Sequence, residues 1–181
     1  MVGMTEQTVI ADPEVLASWR NGPRWYHVVV AMMDDPEVEQ RRRDVAAALG
    51  DLVALSAPDQ PHVTIWTAGF DHPATLPDSG RIPLTVGGAD LFRSAAYLKA
   101  TGTGLDRVRS RLIADGLAEN RTEDFVAHVT VGPFLREAPM AEVRERLQSL
   151  APLSPIPVTG HIRHLVVDTR SPVGELAEPP D

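Results

Sequence analysis

The chain has no cysteine and only one lysine, Lys99, and both shortages narrow what it can be. Without cysteine there is no disulfide, no thiolate nucleophile and no zinc–thiolate site. The remaining basic residues are arginines, and acidic residues outnumber them, which gives a formal net charge of −8. An acidic surface repels long phosphate backbones. We therefore expect any nucleic-acid substrate to be a terminus, a short oligomer or a nucleotide.

Long apolar runs are also missing. No stretch is long enough for a membrane span, and the first residues lack a basic region followed by an apolar one. We expect a soluble, cytoplasmic protein that acts as a monomer. Its 181 residues, of which 43% are hydrophobic, suffice for one ordinary domain with a real core.

The order of hydrophobic and turn-forming segments divides the chain into three parts. Residues 1–23 are predicted to be an N-terminal extension with a short helix over 12–19, and residues 171–181 a loose C-terminal tail. Residues 24–170 form one domain, in which a strand, a helix and a strand carrying His-Val-Thr occur twice, over 24–68 and 95–134. This weak repeat predicts an α+β fold of two similar lobes, each an antiparallel sheet backed by a helix, facing each other across a cleft.

The predicted elements of the domain follow from periodicity, capping residues and turn signals. Helices are expected over 35–50 and 103–117 and from Pro139 onward. The strand before Gly87-Gly88 is expected to end at that pair, and the last segment is expected to supply one or two strands. The predicted strands are 24–32, 61–70, 82–86, 95–100, 125–134 and 156–169.

Two tetrapeptides carry the chemistry, one beginning at His62 (HVTI) and the other at His128 (HVTV). Side chains alternate between the faces of a strand, so His and Thr share one face and the aliphatic residues anchor the other. Placed side by side, the strands bring His62, Thr64, His128 and Thr130 to one space. A neutral imidazole can accept a proton from an attacking water while a protonated one donates to the leaving oxygen. The two threonine hydroxyls can hydrogen-bond to the non-bridging phosphate oxygens.

Secondary candidates flank these motifs. Trp66 and Phe134 continue the polar face of their strands and could stack on a base, although either could equally pack in the core. Tyr97 and Lys99 alternate on one strand, and Lys99 or Arg121 could hold a terminal phosphate. The side chain of His27 could face the cleft in a supporting role.

The paired HVTI and HVTV motifs resemble those of the two-histidine (2H) phosphoesterase superfamily, in its 2′-5′ RNA ligase-like and cyclic phosphodiesterase branches. The resemblance covers about residues 24–170, including the helix before each motif and the segment LTVGGADLF at 84–92. It implies a bilobal fold in which two antiparallel sheets are related by a pseudo-twofold around a central cleft, with the helices outside. It also implies that His62, Thr64, His128 and Thr130 form the catalytic quartet.

The resulting hypothesis is hydrolysis of the 2′,3′-cyclic phosphate of a nucleotide or a short RNA terminus, with no metal and no cofactor. In it His128 activates water and His62 protonates the leaving ribose oxygen, although pseudo-symmetry leaves this order open. One alternative is 2′-5′ RNA ligase or 2′-5′ phosphodiesterase activity with the same groups. Others are a non-catalytic module that binds nucleotides or RNA ends, and a metal-dependent hydrolase using histidine with Asp124 or Glu123.

Overall fold

The computed structural model describes residues 7–11, 20–71, 75–121, 123–150 and 152–181. The predicted helix over 12–19 and the turn at His72 lie outside these ranges. Within them the helices are α1 (Pro36–Leu49), α2 (Thr103–Ala114) and α3 (Met140–Gln148), with a 3-10 turn at Gly50–Leu52 after α1. The strands are β1 (Thr8–Val9), β2 (Trp25–Met32), β3 (His62–Gly69), β4 (Arg81–Leu91), β5 (Ala95–Thr101), β6 (His128–Pro133), β7 (Ala138–Pro139), β8 (Ile156–Asp168) and β9 (Leu176–Ala177).

Six strands form one closed antiparallel sheet in the order β2-β3-β6-β5-β4-β8, because β8 pairs with β4 along one edge and with β2 along the other. The α+β class and the antiparallel pairing are therefore confirmed. The expectation of two separate sheets is wrong, since β3 of the first repeat hydrogen-bonds to β6 of the second. That contact is narrow, with the single register pair Val63↔Val129. The pseudo-twofold relation between the halves stays a prediction.

The larger hydrophobic core lies between the sheet and the helices. It joins inward residues of all three helices, such as Val38, Leu105 and Val143, to alternate residues of the strands, such as Val63 and Val129. A smaller apolar cluster lies on the opposite, concave face, and its buried members come from β2, β8 and β9. Because the helices cover only the outer face, the concave face is where polar residues of the strands can meet a substrate.

Helix α1 begins where the sequence indicates. The Asp35 carboxylate accepts hydrogen bonds from the backbone N–H groups of Glu37 (2.9 Å) and Val38 (3.1 Å), and Pro36 occupies the first helical position. The helix ends at Gly50, whose φ of 57° lies in the left-handed region that favours glycine. Local capping signals therefore placed this helix correctly.

Strand β4 is longer than predicted. The pair Gly87-Gly88 was expected to end it, but the strand continues to Leu91. The register with β5 shifts between Val86 and Ala89, so the glycines form a bulge inside the strand. The guanidinium of Arg41 on α1 donates to the Gly87 carbonyl at 3.1 Å and holds this bulge.

The C-terminal segment is ordered against the domain, and the prediction of a loose tail is wrong. Strand β9 pairs with β8 in the register Val167↔Leu176, and the Leu176 side chain is buried in the smaller apolar cluster. The Val173 carbonyl accepts from the Ala57 N–H at 2.6 Å. Burial of Leu176 and the backbone pairing of β9 with β8 offset the entropy lost when this segment is ordered.

Among the residues that the structure describes, no helix is long and apolar enough to cross a membrane.

Candidate active site

The two motifs lie on neighbouring strands and face the same way. Val63 pairs with Val129 in antiparallel register, which sets His62 opposite Thr130 and Thr64 opposite His128. The aliphatic residues of both motifs are fully buried in the core, as the alternation predicts. The polar residues therefore share the concave face, and the two histidines are diagonal neighbours. Diagonal positions on a sheet are separated by roughly 7–8 Å, which leaves room for a phosphate between the rings.

Each imidazole is oriented by the same backbone contact. The Nδ1 atom of His62 lies 2.8 Å from the Gln60 carbonyl oxygen, and Nδ1 of His128 lies 2.6 Å from that of Val126. A carbonyl can only accept, so Nδ1–H is the donor in both rings. The neutral ring then carries its lone pair on Nε2, while the protonated ring carries an Nε2–H. Either histidine can therefore act as base or as acid through Nε2.

Partial burial favours the neutral form of both rings in the free protein. Desolvation lowers the pKa of His62, the Gln60 carbonyl opposes this, and the charges of Arg42 and His128 add to the lowering, which together bring the pKa to about 4. Desolvation also lowers the pKa of His128, as does the charge of Arg121. Because an anion favours the imidazolium form, a phosphate held between the rings would raise both pKa values.

Two aromatic rings enclose His128 on the concave face. Phe92 lies edge-on to the imidazole, with ring centroids 4.9 Å apart, and stacks on Tyr97 with centroids 4.1 Å apart. Tyr97 itself packs edge-on against His128 at 5.4 Å. The sequence singled out Tyr97 but missed Phe92, which comes directly after β4. Its proximity to His128 depends on the β4–β5 turn, in which Phe92 N–H donates to the Ala95 carbonyl.

Lys99 and Tyr97 lie on the same face of the sheet as His128 and Thr130. The β5–β6 register pairs Tyr97 with Thr130 and Lys99 with His128, and residues directly opposite each other share a face. The Lys99 ammonium lies 3.6 Å from the Asp90 carboxylate. Desolvation raises the pKa of Tyr97, and Asp90 raises it further through its charge and a hydrogen bond. Asp90, which the sequence did not indicate, thus links both side chains.

Arg121 is held close to the second motif by a carboxylate. Its guanidinium donates to Glu119 at 3.1 Å, and Glu119 is also paired with Arg109 at 2.8 Å. The charge of Arg121 lowers the pKa of His128. The contacts of its guanidinium are with Glu119 and with the ring of Phe125, three residues before His128.

Trp66 and Phe134 do not line the cleft, and the prediction that they face it is wrong. Both are 2% exposed and belong to the larger core. The cause is a bulge at the fourth residue of each motif. Between Thr64 and Trp66 strand β3 has one extra residue relative to β2, and between Thr130 and Gly132 strand β6 has one extra residue relative to β5. An extra residue reverses the alternation, so the side chains after each bulge turn to the core.

His27 lies far along β2 from the catalytic end. It pairs with Gly69, whereas His62 pairs with Met32. Its ring nitrogen Nδ1 lies 2.9 Å from Nε2 of His164, and its side chain is 8% exposed. The structure does not bring His27 to the quartet. The role of a supporting residue fits its position better than contact with substrate.

Arg42 is a buried charged residue beside the candidate site that sequence reasoning missed, since the run Arg41-Arg42-Arg43 suggests an exposed helix face. Its side chain is 1% exposed and paired with Glu39. The guanidinium donates to the carbonyls of Thr130, at 2.9 Å, and Ser56. A buried charge so close to the first motif lowers the pKa of His62 and fixes β6 from behind.

In the described ranges, no three His, Asp or Glu side chains are grouped so that they could hold a metal ion.

An α+β domain in which two histidines and two threonines of adjoining strands share a concave face defines a class of phosphodiester-acting proteins. The family model of the 2′-5′ RNA ligase superfamily matches residues 71–170, more than half of the sequence, and the chain belongs to that superfamily. The match includes the second motif and begins after the first, so the placement of His62 is an independent observation. No curated protein matches the chain.

One solved structure that resembles the chain is TT0787 of Thermus thermophilus. It has 17% sequence identity and a TM-score of 0.42, and the comparison covers 78% of this chain and 86% of that one.

Proposed function

We propose that this protein hydrolyses 2′,3′-cyclic phosphodiesters of nucleotides or short RNA ends without a metal ion, using His62 and His128 as an acid–base pair. The observation that carries the proposal is the matched orientation of the two imidazoles. Each has Nδ1 bound to the carbonyl two residues before it, and each therefore presents Nε2 for proton transfer. A pure binding module has no need of two titratable groups oriented in this way.

The reaction transfers two protons. A neutral imidazole takes a proton from water as the water oxygen forms a bond to phosphorus. The bond from phosphorus to one ribose oxygen breaks, and the second imidazole gives that oxygen its Nε2 proton. Thr64 and Thr130 donate hydrogen bonds to the non-bridging oxygens, where negative charge increases in the transition state. Each proton transfer contributes roughly a hundred- to ten-thousand-fold in rate.

The remaining cleft residues would bind the nucleotide. Lys99 and Arg121 supply positive charge on the His128 side, in a chain whose overall charge is negative. Phe92, which is half-buried beside His128, takes over the proposed base-stacking role from Trp66 and Phe134. Tyr97 supports Phe92 by stacking beneath it.

The test is turnover of a panel of 2′,3′-cyclic nucleotides and short oligonucleotides with a cyclic phosphate end, in the presence of EDTA. We expect activity with EDTA, and a loss of at least about a hundred-fold in kcat for His62→Ala and for His128→Ala. Arg107→Ala, an exposed substitution on α2, serves as the control. Full activity in both histidine variants would overturn the proposal, and loss of activity on chelation would favour the metal-dependent alternative.

A second experiment tests which histidine is the base and which is the acid. The lower pKa of His62 favours it as the base in the free protein, the reverse of the order expected from the sequence. A thiolate leaves without a proton, so a cyclic substrate with sulfur at the leaving position needs no general acid. We expect this substrate to rescue His128→Ala and not His62→Ala. Rescue of His62→Ala alone would restore the order in which His128 is the base.

Ligation is the second candidate, because the matching family is described as the 2′-5′ RNA ligase superfamily. In the reverse direction the cyclic phosphate accepts a ribose hydroxyl in place of water, and the same two histidines exchange protons with it. Incubation of two RNA fragments, one ending in a 2′,3′-cyclic phosphate and the other in a 5′ hydroxyl, tests this. A joined product with a 2′-5′ linkage would establish ligation, whereas formation of a phosphomonoester alone would support hydrolysis.

A further inference from the structure

Gln60 connects the first catalytic motif to the C-terminal segment of the chain. Its backbone carbonyl accepts the hydrogen bond from Nδ1 of His62. Its side-chain amide forms two further bonds, with Nε2 donating to the Leu176 carbonyl at 3.0 Å and Oε1 accepting from the Leu176 N–H at 2.9 Å. Because both hydrogen bonds join the Gln60 amide to the backbone of one residue, rotation of the Gln60 side chain would break both.

Leu176 is itself firmly held. Strand β9 pairs with β8 at Val167↔Leu176, and the Leu176 side chain packs with Val28 and Val30 in the smaller apolar cluster. A few residues earlier, the Val173 carbonyl accepts from the Ala57 N–H at 2.6 Å and from the Ser56 hydroxyl at 3.3 Å. The C-terminal segment therefore binds the loop before His62 at two places.

That loop needs external support. Ala57 and Asp59 have φ values of 40° and 62°, in the left-handed region that non-glycine residues rarely adopt. Such conformations are unfavourable for residues other than glycine and persist only where the surroundings enforce them. Arg42 and Glu39 hold the loop from the α1 side through Ser56 and Asp59. The C-terminal segment holds it from the other side.

We infer that Gln60 is a positioning residue for His62, and that residues 171–177, which we name the C-terminal strap, act on the reaction through Gln60. This inference rests on the proposed acid–base role of His62. The strap fixes the Gln60 side chain, the Gln60 backbone fixes the Nδ1–H of His62, and Nε2 is thereby aimed into the cleft. His128 has the corresponding bond to the Val126 carbonyl. Gln60 takes no part in that bond, so His128 serves as an internal reference for His62.

The experiment compares the two histidines within one protein, with nitrogen-15 NMR of the imidazoles as the readout. In the wild type we expect both rings near neutral pH to carry their proton on Nδ1. In Gln60→Ala we expect the His62 signals to shift toward a mixture of tautomers while those of His128 stay unchanged. The substitution keeps the Gln60 carbonyl and removes only its anchoring to Leu176, and losing such an outer contact costs roughly ten- to a hundred-fold in activity at metal-bound histidines. We expect a loss of that size in kcat, with little change in KM.

Gln40→Ala is the matched control, because Gln40 is exposed on α1 and bonds only its neighbour Asp44 among the contacts of the described residues. A chain ending after Arg170 should reproduce the Gln60→Ala spectrum, whereas one ending after Ala177 keeps β9 and should behave as wild type. If truncation after Arg170 unfolds the protein, the Gln60→Ala spectrum and kcat still test the positioning role.

Unchanged His62 signals and unchanged kcat in Gln60→Ala would overturn the inference, and so would equal shifts in both histidines, which would mean general loosening. A selective His62 shift in a protein that turns over no cyclic phosphate would uphold the positioning role. In that case it is the proposed reaction that fails.

Discussion

At the scale of single residues, the proposed chemistry depends on the atoms that each half-buried imidazole contacts. Both histidines donate from Nδ1 to a backbone carbonyl, so each ring has Nε2 available for proton transfer. Their surroundings are not equivalent, since Arg42 acts on His62 and Arg121 on His128. Two imidazoles with the same hydrogen bonds but different neighbouring charges can differ in pKa, so that one is protonated while the other is neutral.

The lowered pKa values predict an acidic optimum for kcat/KM. The base must be neutral, which holds above its depressed pKa, and the acid must be protonated, which holds below its own. Since the pKa of His62 is about 4 and that of His128 is below its usual value, the optimum should lie between about 4 and 6.5.

The measurement is a pair of pH–rate profiles with one cyclic nucleotide. Bound phosphate favours the imidazolium forms, so the optimum of kcat should lie at higher pH than that of kcat/KM. An optimum of kcat/KM at or above neutral pH would contradict the assignment of two depressed histidine pKa values.

At the scale of elements, the bulge in each motif strand separates the proposed catalytic residues from the residues that enter the core. Up to the threonine the strands alternate as the sequence predicts, with His62 and Thr64 toward the cleft. One extra residue then turns Trp66 and Phe134 to the helix-covered face. The bulges occur at the same position of both motifs, so each catalytic strand is polar on its concave face over only a short length.

This arrangement predicts different effects for two aromatic substitutions. Trp66→Phe removes buried ring atoms and should lower the free energy of unfolding by about 1–3 kcal/mol without changing KM. Phe92→Leu should raise KM for a nucleoside cyclic phosphate several-fold, and much less for a cyclic phosphate that carries no base. Denaturant titrations and steady-state kinetics distinguish the two. A raised KM in Trp66→Phe would indicate that Trp66 stacks on the base, as the sequence predicts.

Gly132 predicts a steric limit on β6. A Cβ atom there would lie 1.7 Å from the backbone carbonyl oxygen of Ala54, and backbone cannot rotate away as a flexible side chain can. Gly132→Ala should therefore destabilise the protein by about 2 kcal/mol or more, because the second motif strand must move from the loop before His62. Gly88→Ala is the control, since a Cβ there meets nothing within 4 Å. Thermal melting of both variants measures the difference, and equal melting temperatures would contradict it.

At the scale of the whole molecule, the site of this acidic protein combines a few local cations with a net charge of −8. Long RNA is repelled by the overall charge, while a mononucleotide interacts mainly with the cleft.

Salt should therefore affect long and short substrates differently. Raising ionic strength screens the repulsion between protein and polyanion, so kcat/KM for a long RNA with a cyclic phosphate end should increase. For a mononucleotide it should change little or fall, since only the attraction to Lys99 and Arg121 is screened. Kinetics from low to physiological salt with both substrates test this. A fall for the long RNA would indicate a basic binding surface instead.

Much of the fold and the centre of the site follow from local rules. The start of α1 depends on Asp35 and Pro36, and the core face of each motif depends on residues that alternate along one strand. These interactions join residues close in sequence, so the pattern of side chains specifies them. The secondary candidates were less well predicted, because a bulge in β3 or β6 is set by pairing with a distant strand rather than by its own residues.

By itself the sequence determined the chemical groups, the two strands that carry them and the side of each strand on which they lie, since strand periodicity is a local property. Tertiary structure alone decided that β3 and β6 adjoin at Val63↔Val129, that Phe92 packs on His128, and that Gln60 meets Leu176. Each of these is a contact between segments far apart in the chain. Its formation depends on how the closed sheet balances burial and hydrogen bonding over the whole domain, which no short pattern encodes.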